Sequence, residues 1–220
     1  MSSTPGVIIL DLDGTLADTV PGIAHAANHT LSELGLAPVS VEQIRNALGG
    51  GARKLWATIL GEKQNVLLDE ALASFGPYYA ENPDWGTVLY PGVAETLPIL
   101  AAHTQLAVAT QKGRLATQRV LQTLGIAGLF AAIVTVDDMA APKPDPDCVN
   151  QILAQLHLPA AAAVVVGDMP YDVDTARNAG VRCWVVSYGY GPELLLASGG
   201  YERMIERFDQ LRELIVTADD

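Results

Sequence analysis

The chain has 220 residues, of which 50% are hydrophobic and 17% are charged, so it can form one sizeable packed domain, with or without a smaller inserted one. Its formal net charge of -12 disfavours nucleic acid and anionic membranes as partners, and a phosphate-bearing substrate would need a cation beside it. The two cysteines lack CxxC spacing, and the first residues contain no basic region or long apolar run, so we expect a cytoplasmic protein with reduced thiols.

Five short apolar runs predict the strands of one sheet. Each run lacks polar alternation, which indicates burial on both faces, as in a parallel sheet. Segments with helical spacing separate the later runs, for example Leu115, Val120, Leu121 and Leu124, and residues 148–156. This alternation predicts a doubly wound, Rossmann-like α/β fold with a parallel sheet. The runs cover residues 7–10, 106–109, 132–136, 163–166 and 183–186.

The stretch from residue 17 to residue 85 breaks the alternation. It contains no convincing strand, and its apolar residues follow helical spacing between the breaks "LGLAP", "LGGGAR" and "LGEKQ". About four helices in a row are therefore expected directly after the first strand. We predict an α/β core made of residues 1–16 and 86–220, with an all-helical insertion at residues 17–85.

Polar residues follow the predicted strands at the point where each strand ends. In an open parallel sheet the carboxyl ends of the strands meet at one edge, where ligands bind. The polar groups at this edge are therefore expected to converge on one site. They are Asp11 and Asp13 after the first strand, Thr110, Gln111 and Lys112 after the second, Lys143 in the loop after the third, and Asp168 after the fourth.

Asp11 and Asp13 are two residues apart, so in extended backbone both carboxylates point the same way. Two such carboxylates repel unless a cation lies between them. Mg²⁺ prefers one or two carboxylates together with waters and phosphate oxygens, and Asp168 could supply a third acidic group. Asp11 could then attack phosphorus, while Asp13 protonates the leaving oxygen and afterwards deprotonates water.

The remaining groups fit the binding of a phosphoryl group, whose oxygens need donors and cations. Thr110 offers a hydroxyl at a strand end, and Lys143 lies between the prolines of "APKPDPD". Lys143 could also keep Asp11 ionised by charge pairing. Gly14 allows the chain to turn without a Cβ penalty, so that nearby backbone N–H groups can bind phosphate oxygens.

Four ordered motifs give the chain its resemblance to the haloacid dehalogenase superfamily. They are "DLDGT", Thr110 after a strand, "KPDPD" and "GDMPYDVDTARNAG", and they span nearly the whole chain. Together with "SYGYG" at residues 187–191, they are similar to the phosphoglycolate phosphatase-like branch. Gln111 is a departure, since that branch often has asparagine after the threonine.

The resemblance implies an aspartyl-phosphate mechanism with Asp11 as nucleophile and Asp13 as general acid/base. Thr110, Gln111 and Lys143 would bind phosphate, Gln111 through its backbone N–H. The implied Mg²⁺ ligands are Asp11, the backbone carbonyl of Asp13 and Asp168, with Asp172 behind them. The helical insertion would be a cap domain that closes over the site and selects the substrate.

The presence of Asp13 narrows the range of expected reactions. The superfamily's dehalogenases lack this residue, because their reaction has no leaving oxygen to protonate. We therefore expect hydrolysis of a small phosphate monoester such as phosphoglycolate, a sugar phosphate or a nucleotide, by a monomer or homodimer. One alternative is an intramolecular phosphotransferase that returns the phosphoryl group to another sugar hydroxyl. Another is a module that binds phosphate compounds without useful turnover.

Several residues keep a second interpretation. Arg53 and Lys54, next to "LGGGAR", could bind an anion above the site, or they could be solvated charges beside a turn between two helices. Asp172 could be the N-cap of the helix that contains "VDTARNAG". Tyr78, Tyr79 and the tryptophans Trp56 and Trp85 are expected to pack inside the insertion or at its hinge.

Overall fold

The computed structural model describes residues 4–216 of the chain. Within these residues the chain begins with two strands, continues with a run of four helices and then alternates between strands and helices. In chain order the elements are β1 (Val7–Leu10), β2 (Ala17–Asp18), α1 (Val20–Glu33), α2 (Val41–Ala47), α3 (Gly51–Gln64), α4 (Leu68–Glu81), β3 (Val88–Leu89), α5 (Val93–His103), β4 (Gln105–Ala109), α6 (Arg114–Thr123), β5 (Ala132–Val134), α7 (Asp147–Leu156), β6 (Ala163–Gly167), α8 (Pro170–Ala179), β7 (Arg182–Val186), α9 (Pro192–Ser198), β8 (Arg203–Ile205) and α10 (Gln210–Val216).

The main sheet has six strands in the order β5-β4-β1-β6-β7-β8, and every neighbouring pair is parallel. This confirms the predicted doubly wound α/β fold. β1 lies between β4 and β6, so the residues that follow these three strands meet at the same edge of the sheet.

All five predicted strands are present. β5 ends two residues early, at Val134, because the Thr135 N–H donates to Asp138 Oδ2 at 2.9 Å and the chain turns away there. Three short strands were not predicted: β8 at the edge of the sheet, and β2 and β3, which pair antiparallel as a separate two-stranded sheet. With two or three residues each, and without an apolar run as long as the one that contains β5, they show no pattern that predicts a strand.

The side chains of β1 pack on both faces of the sheet, which explains why its sequence shows no alternation. Ile8 and Leu10 belong to an apolar cluster with α5, α6 and α10, and Val7 and Ile9 belong to another with α7 and α8. Burial of one such aliphatic side chain stabilises the fold by ~1.5–3 kcal/mol. Of the apolar residues that predicted α6, Val120 and Leu121 are buried, whereas Leu115 is 70% exposed.

The helices α1–α4, residues 20–81, form a helical segment with an apolar cluster of its own, which includes Trp56 and Phe75. The segment begins after β2 and ends before β3. The antiparallel pairing of β2 with β3 therefore brings its two ends together. The run of about four helices lies within the predicted insertion. No helix among residues 4–216 has the length and apolar character needed to cross a membrane.

Candidate active site

A cavity of about 120 Å³ lies between the carboxyl ends of the central strands and the helical segment. The sheet side contributes polar residues that the sequence singled out, and the helical side contributes α1, α3, α4 and the loop before α3. The lining residues on the sheet side include Asp11, Asp13, Thr110, Gln111, Lys112, Lys143 and Asp172. This position agrees with the general rule for open parallel sheets.

Three carboxylates gather at the bottom of the site. Asp11, Asp168 and Asp172 each place an oxygen within 4.8 Å of the other two, and Asp168 is fully buried. Burial raises the pKa of Asp11 to about 7, against the opposing effect of Lys143. Burial, followed by the charges of Asp11 and Asp172, raises the pKa of Asp168 well above its ordinary value. Both shifts disfavour the ionised form of these two carboxylates, which a neighbouring cation would favour.

Lys143 is the cation beside this cluster. Its buried Nζ lies 3.0 Å from Asp11 Oδ1 and 2.7 Å from Asp172 Oδ1. Burial alone would lower the pKa of Lys143, but the charges of these two aspartates outweigh that effect and raise it. Lys143 therefore remains an ammonium ion that holds both carboxylates by charge-assisted hydrogen bonds.

Asp172 lies in the first turn of α8, whose first residue is Pro170, so Asp172 is not the N-cap residue. Its Oδ2 accepts a hydrogen bond from the Met169 N–H at 3.1 Å, while its Oδ1 contacts Lys143. The side chain thus supports the start of α8 and orients the lysine at the same time.

Asp168 is held by a close approach of three loops. Its carboxylate accepts hydrogen bonds from the Thr15 hydroxyl at 3.2 Å and from the Tyr190 N–H at 2.7 Å. Gly14 (φ +87°) and Gly189 pass so near Asp168 that a Cβ on either would overlap its carboxylate. The Gly14 N–H donates to Ala17 O at 3.0 Å, so in this arrangement that group serves the turn after β1.

The Asp13 carboxylate turns away from the acidic cluster. Its Oδ1 lies 2.9 Å from Lys112 Nζ and accepts a hydrogen bond of 2.7 Å from the Thr19 hydroxyl. Lys112 Nζ also donates to the Tyr79 hydroxyl at 2.7 Å. Burial alone would lower the pKa of Lys112, but Asp13 and Tyr79 outweigh it and raise that pKa. Asp11 and Asp13, two residues apart, therefore each have a lysine of their own.

Thr110 and Gln111 follow β4 at the edge of the cavity. Thr110 Oγ1 accepts from the Lys112 N–H at 3.2 Å, so the hydroxyl proton is free to point elsewhere. The Gln111 side chain donates to the Gly49 carbonyl at 2.9 Å, across the cavity in the helical segment. In this structure the Gln111 amide therefore contacts the helical segment.

The side of the cavity formed by the helical segment is apolar. Its lining side chains are Ile23, Leu48, Ala52, Leu55, Phe75 and Tyr79, and none of the charged residues among the described positions 20–81 lines it. Arg53 lies outside, with Nη2 3.0 Å from Asp69 Oδ1, and both side chains are largely exposed. Lys54 is also exposed.

Lys112 was placed at this edge of the sheet by the sequence analysis but was given no role there. Tyr79 and Tyr190 were not identified as site residues. The sequence offered no signal for Tyr79, which reaches Lys112 from 33 positions away. Tyr190 lies in "SYGYG", but its contact with Asp168 depends on how β6 and β7 pair.

The clustered carboxylates fit a divalent cation. Hard ions such as Mg²⁺ bind carboxylate oxygens, and oxygens of Asp11, Asp168 and Asp172 lie within 4.8 Å of one another here. The site thus brings together two carboxylates, each with its own lysine, and a hydroxyl, which are groups that can act as nucleophile, proton carrier and phosphate-binding donor in phosphoryl transfer.

Comparisons with known proteins point the same way. The family model for haloacid dehalogenase-like hydrolases matches residues 8–186. The chain is 37% identical over 204 residues to a phosphoglycolate phosphatase of Rhodospirillum rubrum, covering 89% of this chain and 85% of the relative. It is 36% identical to that of Pseudomonas syringae pv. tomato, covering 96% and 79%. A crystal structure of a predicted phosphoglycolate phosphatase from Haemophilus somnus 129pt superimposes with a TM-score of 0.84 at 26% identity, covering 95% and 97%.

Proposed function

We propose that this chain, which belongs to the haloacid dehalogenase-like hydrolase family, is a Mg²⁺-dependent phosphatase that forms a phospho-aspartate on Asp11. As an enzyme it is a phosphoric monoester hydrolase, the class to which its relatives' names assign them. The observation that carries the mechanism is that the two aspartates after β1 lie in different surroundings. Asp11 lies with Lys143 in the acidic cluster, and Asp13 lies outside it with Lys112.

In the first step an oxygen of Asp11 attacks the phosphorus of the substrate. A bond forms between Asp11 and phosphorus, and the ester bond between phosphorus and the leaving oxygen breaks. Lys143 and the Thr110 hydroxyl bind the phosphoryl oxygens, and Asp13 gives its proton to the leaving oxygen. The products of this step are the free alcohol and the phosphorylated Asp11.

In the second step water hydrolyses the phospho-aspartate. Asp13, now ionised, takes a proton from the water as the water oxygen attacks phosphorus. The bond between phosphorus and Asp11 breaks, inorganic phosphate leaves, and both aspartates return to their starting protonation states.

The metal site we propose consists of Asp11, Asp168 and the backbone carbonyl of Asp13, with Asp172 behind them. When bound, Mg²⁺ would offset the charge of the carboxylates and of the phosphoryl oxygens. The clustering of three acidic oxygens within 4.8 Å supports this assignment.

We further propose that residues 17–85 are a cap domain and that the cavity beneath it selects the substrate. The supporting observation is that α1, α3 and α4 form one side of a cavity of only about 120 Å³. Such a space favours a small alcohol over a bulky one, and the names of the relatives make 2-phosphoglycolate the first substrate to test, before sugar phosphates and nucleotides.

The partner in this proposal is a small phosphorylated metabolite. The cytoplasmic location and the monomeric or homodimeric state stay predictions. The lack of nucleic-acid and membrane partners, inferred from the net charge of -12, also stays a prediction.

The nucleophile is tested by Asp11→Asn, which keeps the size of the side chain but removes the attacking charge. We expect turnover of p-nitrophenyl phosphate in Mg²⁺ to fall by about three orders of magnitude or more. Asp69→Asn, at an exposed position, is the matched control and should keep wild-type activity. A folded Asp11→Asn protein with substantial turnover would refute the mechanism. Release of inorganic phosphate from sugar phosphates, measured against isomerised product, separates hydrolysis from phosphotransfer.

A further inference from the structure

Lys112 is a buried cation to which the mechanism above gives no task. Its side chain is only 3% exposed, and its Nζ contacts Asp13 Oδ1 and the Tyr79 hydroxyl. A buried ammonium ion is costly unless it is paired and hydrogen-bonded. The two contacts satisfy this requirement, and they join the sheet side of the site to α4 of the helical segment.

The two lysines of the site have separate partners. Lys143 contacts Asp11 and Asp172, in the acidic cluster, whereas the ion pair of Lys112 is with Asp13. Because Lys143 already offers a positive charge beside the nucleophile, a second phosphate-binding cation is not needed to explain Lys112. Its place beside Asp13 indicates a task in the movement of the proton.

We propose that Lys112, held in place by Tyr79, positions the Asp13 carboxylate for proton transfer. The proposal rests on the function proposed above, in which Asp13 moves the proton. Lys112 and Tyr79 are positioning residues, since they act through Asp13.

The contacts of Asp13 show how it would be positioned. Lys112 Nζ and the Thr19 hydroxyl both contact the same oxygen, Oδ1, at 2.9 Å and 2.7 Å. Two donors on one oxygen fix the rotation of the carboxylate and occupy the lone pairs of Oδ1. The transferred proton is therefore carried by Oδ2. In the forward step the Oδ2–H bond breaks and the proton passes to the leaving oxygen as the phosphorus–oxygen bond breaks.

Tyr79 links this arrangement to the helical segment. Its hydroxyl accepts from Lys112 and donates to the Pro83 carbonyl at 3.4 Å, so both hydrogen-bonding functions are used. Its ring stacks on Phe75 with centroids 5.3 Å apart, inside the apolar cluster of the segment. The orientation of Asp13 therefore depends on the helical segment lying in its place over the cavity.

The experiment compares two substrates that differ in their need for a proton. p-Nitrophenolate is a good leaving group that departs without protonation, whereas the alkoxide of 2-phosphoglycolate requires it. The quantity measured is kcat/KM, which includes only the steps up to the first irreversible one. Tyr79→Phe removes the hydroxyl and keeps the ring. We expect kcat/KM for 2-phosphoglycolate to fall about tenfold and that for p-nitrophenyl phosphate less than about twofold.

Lys112→Met should show the same selectivity at about a hundredfold loss on the alkyl ester, and Lys112→Arg should restore part of it. Tyr78→Phe is the matched control: Tyr78 is the adjacent residue of α4, its hydroxyl contacts His25, and both rates should stay at wild-type values. Tyr79→Phe decides the question if Lys112→Met does not fold. Equal losses on the two substrates, or no loss in folded Tyr79→Phe, would overturn the proposal.

Asp13→Asn separates this proposal from the function on which it rests. If Asp13→Asn selectively loses the alkyl ester but the Tyr79 and Lys112 variants do not, only the positioning role fails. If Asp13→Asn itself shows no selectivity between the esters, the proton-transfer role of Asp13 fails, and the present proposal fails with it.

Discussion

The two sides of the cavity are built on different principles. On the sheet side, charged groups lie at the ends of parallel strands, and each is held by a specific partner, as Asp11 is by Lys143 and Asp13 by Lys112. On the side of the helical segment the lining is apolar, and charged residues such as Arg53 and Lys54 face solvent. Most polar groups of the site thus lie in loops that follow strands of the sheet, whereas helices α1, α3 and α4 line the space above them.

The comparison predicts that ion pairs on the two sides differ greatly in their energetic importance. Lys143→Met leaves Asp11 and Asp172 buried without their cation, so the free energy of unfolding should fall by about 3–5 kcal/mol. Arg53→Met breaks an exposed pair and should cost less than about 1 kcal/mol. Urea unfolding followed by circular dichroism in the presence of chelator measures both. Similar losses of unfolding free energy for the two variants would contradict this difference between the two ion pairs.

A second prediction concerns the stabilisation of the folded protein by Mg²⁺, which we expect to bind to the carboxylates on the sheet side of the cavity. At a hundred times its dissociation constant, Mg²⁺ should stabilise the folded protein by about 2.7 kcal/mol. Thermal unfolding with Mg²⁺ and with chelator measures this difference without any substrate.

Asp168→Asn removes one carboxylate of the cluster and should abolish most of the Mg²⁺-dependent stabilisation. Asp174→Asn, an exposed aspartate of α8 that pairs with Arg177, is the control and should retain it. If both variants responded to Mg²⁺ like the wild type, the cluster would not be the metal site.

The smallest expected effect belongs to one of the contacts that join the two sides. Gln111→Leu removes the hydrogen bond to Gly49 O, which is worth about 1 kcal/mol, so kcat/KM should fall roughly fivefold. The fall should be the same for aryl and alkyl phosphates, because Gln111 does not contact Asp13. Gln118→Leu, at an exposed position of α6, should have no effect. A loss confined to alkyl phosphates would instead assign Gln111 to proton transfer.

The contrast between the two sides also separates what sequence patterns predict well from what they predict poorly. Buried parallel strands have an unbroken apolar sequence, so β1 was recognised with its correct bounds. The hairpin β2–β3 has two residues in each strand and no pattern to recognise. The helices of the helical segment were recognised by spacing, but spacing does not state which residues face the cavity.

Among the site residues, those that directly follow strands were the ones that sequence could identify. Asp11, Thr110 and Asp168 owe their convergence to the parallel topology, which strand and helix alternation implies. Tyr79 and Tyr190 owe theirs to loops and helices whose packing no local pattern describes. Gln111 was recognised by position, yet its contact with Gly49 depends on where the helical segment lies.

The sequence by itself determined the α/β fold, the order of the motifs and the identity of the polar groups at the strand ends, because these depend on local periodicity and on the rule that parallel strands share one edge. Only the tertiary structure decided that the two aspartates face different lysines and that Tyr79 reaches Lys112. Such pairings join residues far apart in the chain. They are selected by the cost of burying a charge without a partner, which acts only once the chain has folded.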